Sequence, residues 1–302
     1  EKSKLEIQLQ KIKIKLKKMN KFKIFSLALV ATTIAKAQDL EPAKKAIDAE
    51  QFEKAKSLLK SVIQAKPSNG KAAFLLGTIY LKQNISDSAS IYFQKGLLAS
   101  EGARLNNIGQ GQLELDANNK TAAQAKFDLV IKELKKKDTE EYVYIARAFM
   151  NADKPDYKSA IAVLTKAAIA NPNDAQVLNN KGIAMAENGN IQTASECYDA
   201  AIVADPKYAA AFFNKGVLLD KLQEHELALT VLEKAISIDS RKPNAMVYKG
   251  IVLGKMKKHE EALNCFQNIC KKYPNNQDAF FQKGVQLAEL GRHEKAIDVF
   301  DE

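Results

Sequence analysis

The chain has 302 residues, with 27% charged and 46% hydrophobic side chains, no Trp, and only 13 Gly and 7 Pro. This balance favours helices and excludes a strand-rich fold. The formal net charge is +10, but residues 1–37 hold ten lysines against Glu1 and Glu6. The rest is almost neutral, so it has no electrostatic footprint for phosphate backbones, and no nucleic-acid partner is expected.

Residues 1–18 read as an upstream or disordered leader, with Lys and apolar residues alternating from Lys11. Residues 19–37 have the layout of a secretory signal peptide: a basic start at Met19–Lys23, an apolar run from Ile24 to Ile34, then Ala35-Lys36-Ala37 for cleavage. The apolar run is too short to span a bilayer comfortably, so no stable membrane span is expected after cleavage. The expected location is exported, periplasmic or secreted; the alternative is a cytoplasmic protein with a basic leader.

From Glu41 onward an alanine is followed four residues later by a large apolar residue, as in Ala55/Leu59, Ala89/Phe93, Ala123/Phe127, Ala160/Leu164, Ala194/Tyr198, Ala228/Leu232, Ala262/Phe266 and Ala296/Phe300. Successive pairs lie 34 residues apart, except for 37 between Ala123 and Ala160. The i, i+4 spacing places both residues on one helix face, and a fixed period of this size marks a stacked repeat protein. The three extra residues are expected in the turns around Lys135–Asp138 and Ala152–Asp156.

About twelve residues before six of the alanines stands a glycine: Gly77, Gly111, Gly182, Gly216, Gly250 and Gly284. A mid-helix glycine costs about 1 kcal/mol against alanine, so its recurrence implies a close helix crossing that admits no side chain. In the later units lysine always precedes it, at Lys181, Lys215, Lys249 and Lys283. This change of style near Pro172 divides the repeats into a first array, 38–174, and a second, more regular array, 175–302. Either the later units are recent duplicates or two arrays were joined there. The last unit reads as truncated, since Glu302 falls inside its second helix.

The pattern resembles the tetratricopeptide repeat family over residues 41–302. Phe212, Gly216, Leu219, Ala228, Leu232 and Ala235 carry its signature in 209–242, with Ser240 where proline is usual; Leu178, Gly182, Met185, Ala194, Tyr198, Ala201 and Pro206 carry it in 175–208. The resemblance implies an all-α, right-handed α-solenoid of antiparallel helix pairs. It also implies a non-catalytic scaffold that binds a protein or peptide along the concave face formed by the first helices.

One branch of the family grips C-terminal carboxylates through a clamp of Lys, Asn and Arg. Asn180 and Asn214 match its asparagine, but Phe213, Val247 and Phe281 occupy the lysine place, so that clamp is not expected. Asn180, Phe213, Asn214, Val247 and Phe281 instead suit an extended or helical peptide with apolar anchors, although some of them could simply pack between repeats.

His225, His259 and His293 also recur every 34 residues. Equivalent points in adjacent repeats lie on the order of 10 Å apart, whereas zinc needs its ligands within about 2.1 Å of one centre. No metal or cofactor is expected. Cys197, Cys265 and Cys270 lack a disulfide spacing and read as small buried hydrophobes. With no phosphate loop, nucleophile elbow or Cys-X-X-Cys, the chain is not expected to be an enzyme. The alternative is the repeat arm of a larger enzyme, such as a transferase, whose catalytic domain lies beyond residue 302.

Overall fold

The computed structural model describes residues 39–99, 101–241 and 243–301. The leader and signal-peptide expectations, on residues 1–37, lie outside these described residues. Sixteen helices fill them: α1 Glu41–Asp48, α2 Phe52–Ala65, α3 Gly70–Lys82, α4 Ser86–Leu97, α5 Ala103–Asp116, α6 Lys120–Glu133, α7 Thr139–Asn151, α8 Tyr157–Ala170, α9 Ala175–Glu187, α10 Ile191–Ala204, α11 Ala209–Lys221, α12 His225–Ile238, α13 Pro243–Lys255, α14 His259–Lys272, α15 Gln277–Glu289 and α16 His293–Asp301. The fold is all-α, of the α-solenoid class expected from the period. The chain forms two compact units, up to Asn106 and from Asn107 onward.

Each pair closes through the same turn. Asn84, Asn118, Gly189, Gln223, Lys257 and Gly291 all have φ between 57° and 85°, the left-handed conformation that ends a helix sharply. The next residue donates back into the preceding helix, as Ile85 N–H does to Tyr80 O at 2.9 Å and Glu224 N–H to Leu219 O at 2.9 Å. A connection of three residues leaves successive helices antiparallel. The exception is 152–156, five residues where 188–190, 222–224 and 256–258 are three; the turn 134–138 also exceeds 171–174 by one. The 37-residue interval is thus accommodated in both expected turns.

In the unit from Asn107 onward, each recurring glycine receives the large residue sixteen positions later. A Cβ on Gly250 would stand 2.6 Å from Phe266 Cζ; on Gly182, 2.5 Å from Tyr198 Cε1; on Gly111, 2.3 Å from Phe127 Cε1. Real Cβ contacts do not come this close, so the glycine forms the floor on which the ring lies. Gly77 and Phe93 repeat the arrangement in the other unit, at 2.4 Å. Where the glycine is missing, alanine stands instead and the partner shrinks: Ala43 precedes Leu59 by sixteen residues and all of their side chains are buried, while Ala146, Ala148 and Leu164 are buried in the pair with the long turn. The members vary: the glycines lie under Phe, Tyr or, at Gly216, Leu232, and leucine also stands where alanine replaces the glycine.

The unit up to Asn106 closes on a polar residue. Asn106 is fully buried, and its Nδ2 donates to Gly70 O and Gly102 O, both at 2.8 Å. A Cβ on Gly96 would fall 2.1 Å from the Asn106 side chain. Asn106 Oδ1 is buried without a partner.

Candidate functional site

Helices α9, α11, α13 and α15 are the first helices of the four most regular pairs, and they carry all five groove candidates. Side-chain caps start two of them. Asp174 and Asn276 cap α9 and α15 by accepting from the Val177 and Ala279 amides at 3.0 and 2.8 Å, satisfying donors that a helix start leaves unpaired. Thr139 Oγ1 donates to the other Asp174 oxygen at 2.6 Å, tying α7 to α9.

The five candidates divide between seam and surface. Asn180 has no exposed surface: its Oδ1 accepts from Arg147 Nε at 3.0 Å, and its Nδ2 donates to Gln176 O at 2.7 Å. Val247 is buried within the cluster of Leu232, Leu253 and Phe266. These two residues pack between repeats, the second of the two roles that their positions allow. Asn214 is partly exposed and donates to Asn179 Oδ1 at 2.8 Å. Phe213 is also partly exposed and meets Tyr248 edge to face, with centroids 6.0 Å apart. Phe281 is 59% exposed, its ring 5.8 Å from Phe300.

Two lysines of the Lys-Gly ladder reach backward, while Lys283 lies over the Phe280 ring of its own helix. Lys215 pairs with Asp199, and Lys249 with Glu233 at 2.7 Å, each on the second helix of the preceding pair. Lys221 likewise joins Glu187 at 3.3 Å. These pairs leave little unpaired positive charge beside Phe213 and Tyr248.

The main feature that the sequence reading missed is Asp220. Its carboxylate is completely buried and takes three partners: His225 Nδ1 at 3.0 Å, Tyr248 Oη at 3.0 Å and Lys255 Nζ at 2.5 Å. Tyr248 and Lys255 come from α13, so the carboxylate locks one repeat to the next. Burial, then the hydrogen bond and charge of Asp220, push the Tyr248 phenol up to about 12. A signal was available: the equivalent places hold Ala186, Gly254 and Ala288, so a carboxylate there departs from the repeat.

The histidines begin α12, α14 and α16. Their surroundings differ: His225 meets Asp220, His259 Nδ1 lies 3.0 Å from Gln286 Oε1, and His293 is exposed. Cys197 and Cys270 are buried and Cys265 partly so, none of them in a disulfide. Burial pushes the Cys197 and Cys265 thiols up, which keeps them protonated and poorly nucleophilic. Among the described residues no helix is long and apolar enough to cross a membrane.

Comparison with protein families gives four matches, each to a family described as tetratricopeptide repeat, at residues 46–107, 180–244, 244–276 and 265–298. Comparison with curated proteins gives no match. Among solved structures, the APC/C hetero-tetramer Cut9–Hcn1 aligns with a TM-score of 0.51 at 17% identity, over 83% of this chain and 47% of that one. MamA from Desulfovibrio magneticus RS-1 aligns at 0.47 and 22%, over 55% of this chain and 92% of that one. YrrB, described as a TPR protein with an unusual peptide-binding site, aligns at 0.39 and 21%, over 63% and 97%. The chain therefore spans about half the length of the first of these. The four family matches fall on helix pairs described above, and the chain belongs to the tetratricopeptide repeat family.

Proposed function

We propose that this chain is a non-catalytic scaffold that binds a peptide or protein segment along the first helices of residues 175–301. The observation that carries the reading is the partly exposed aromatic run Phe213, Tyr248 and Phe281, on three successive first helices. Aromatic rings supply contact area at low entropic cost, and Asn214 offers an amide beside them. The paired lysines nearby favour apolar anchors in the ligand over an acidic one. Asn180 and Val247 support this surface from beneath and set the spacing of the helices.

The division of the repeats into arrays 38–174 and 175–302 belongs to the same proposal. All four lysines that precede a recurring mid-helix glycine fall in the second array, and the long turn lies in the first. Export through residues 19–37 is likewise proposed, with a cytoplasmic location as the alternative. N-terminal sequencing of the expressed protein separates the two by the presence or absence of a cut near Ala37.

The groove reading is tested by placing a photo-crosslinking amino acid at residue 213, 214 or 281, and for comparison at Val203 or Lys234 on second helices. The expected result is one adduct species common to the three first-helix sites and missing from the other two. Adducts that form equally at 203 and 234 would remove the groove as the binding surface. Function as the arm of a larger enzyme would instead require a catalytic motif in the reading frame beyond residue 302.

A further inference from the structure

In the unit up to Asn106, two tyrosines stand where most other repeats have an apolar residue or cysteine, Glu114 and Lys126 being the exceptions. Tyr80, near the end of α3, replaces the leucine found at Leu219 and Leu253; Tyr92, in the middle of α4, replaces the small apolar residue found at Val231 and Cys265. Their rings stack nearly parallel, 6° apart with centroids at 5.5 Å. The stack is bracketed by cations: Lys56 Nζ lies 5.2 Å from the Tyr80 centroid, and Lys95 Nζ lies 5.1 Å from that of Tyr92. Lys60 stands beside both rings, and its ammonium form is favoured first by the Tyr80 hydroxyl. Lys56 is engaged by Glu53 at 2.6 Å and by Gln83 Oε1 at 3.0 Å. Among the described residues, neither Lys60 nor Lys95 has a carboxylate within ion-pair distance.

This arrangement narrows the chemistry of any ligand. The stacked ring faces are already taken, by each other and by ammonium groups, so a nucleobase has little face left to stack on. What remains are donors and positive edges: the Lys60 and Lys95 ammonium groups, with Glu53 near Lys60 but outside ion-pair distance, two phenol hydroxyls and the ring rims. Part of the ordering precedes binding, because Lys95 is held over the Tyr92 ring by cation–π attraction and Lys60 beside the Tyr80 hydroxyl. Such a surface complements carboxylates.

We propose that the Lys60–Tyr80–Tyr92–Lys95 surface docks an acidic peptide segment, its Asp and Glu side chains meeting the Lys60 and Lys95 ammonium groups and the phenol hydroxyls. The proposal is independent of the groove on residues 175–301.

The test titrates a fluorescein-labelled decapeptide of alternating Glu and Ser into the full chain, read by anisotropy at low and at physiological salt. Saturable binding that weakens with salt is expected for the wild type, with a loss of about tenfold in Lys60→Glu/Lys95→Glu. Tyr80→Leu/Tyr92→Leu keeps the net charge and installs residues that the repeat uses elsewhere; it is expected to weaken binding several-fold while circular dichroism retains full helicity. The control Lys132→Glu/Lys158→Glu, at exposed sites in the other unit, is expected to bind as the wild type does. The proposal is overturned if the wild type does not bind, if the tyrosine variant binds unchanged, or if the control loses as much as the lysine variant. Tighter binding of a single-stranded oligonucleotide through the same four residues would also overturn it.

Discussion

Residues 175–301 contain two kinds of seam, one inside each helix pair and one between pairs. Inside the pairs the contact is nearly identical each time: Gly182 under Tyr198, Gly216 under Leu232, Gly250 under Phe266 and Gly284 under Phe300. Between the pairs, exposed ion pairs recur, Lys215–Asp199 with Lys249–Glu233 and Lys258–Glu226 with Arg292–Glu260, but the buried polar contacts do not. Arg147 holds Asn180, Asn179 holds Asn214, Asp220 gathers Tyr248 and Lys255, and Gln286 meets His259. An apolar contact specifies only size, so one solution can be copied at every repeat. Buried polar groups must be satisfied partner by partner, so each junction carries its own arrangement and fixes which repeat follows which.

Substitutions can separate these seams, and the largest effect belongs to the apolar one. Phe266→Ala empties a fully buried ring site and is expected to cost about 3–5 kcal/mol in chemical denaturation. Asp220→Ala should follow at about 1–3 kcal/mol, since Tyr248 loses its acceptor, while the half-exposed Lys255 can recover water. Because only one junction is cut, the loss should appear as reduced cooperativity between the repeats on either side, as hydrogen exchange would show. If exchange instead rises uniformly, the junctions are not individually specified.

Smaller effects sharpen the contrast. Lys257 sits at φ 61°, in a turn where equivalent positions are Gly189 and Gly291. Lys257→Gly should stabilise by up to about 1 kcal/mol, read as a higher denaturation midpoint, because the left-handed conformation then carries no side-chain strain. The alkaline limb of stability gives a last check on the polar seam. The Tyr248 phenol titrates near 12 in the fold, against about 10 in the unfolded chain. Its contribution is therefore complete below about pH 10 and lost as pH rises toward 12. Tyr248→Phe should flatten that part of the stability profile, and an unchanged slope would show that the Asp220 contact does not hold the phenol.

The sequence made the first seam legible and left most of the second hidden, for a physical reason. The glycines and large residues recur at fixed spacing because the same size match is reused, so the period alone exposes the helix pairs and the turn with extra residues. What the period did not show is that each glycine lies beneath the large residue sixteen positions on. The buried polar residues meet partners 27 to 35 residues away, at spacings that differ from junction to junction, and identity alone does not tell a buried asparagine from a ligand-facing one. Asn180 and Asn214 occupy the same place in their repeats, yet one is sealed beside Arg147 and the other is partly exposed. Asp220 was detectable only as a departure from its neighbours, and the stacked Tyr80 and Tyr92 likewise.

The most direct test of the size match is a double-mutant cycle on Gly250 and Phe266. Gly250→Ala should destabilise by about 1–3 kcal/mol through overpacking, despite alanine's better helix propensity. Phe266→Leu alone should leave a small void, but the pair together recreates the alanine and leucine combination already used at Ala43 and Leu59. The expected coupling is at least about 1 kcal/mol, with the double variant more stable than the sum of the two single losses implies. Additive losses would contradict a seam governed by the joint size of its two residues.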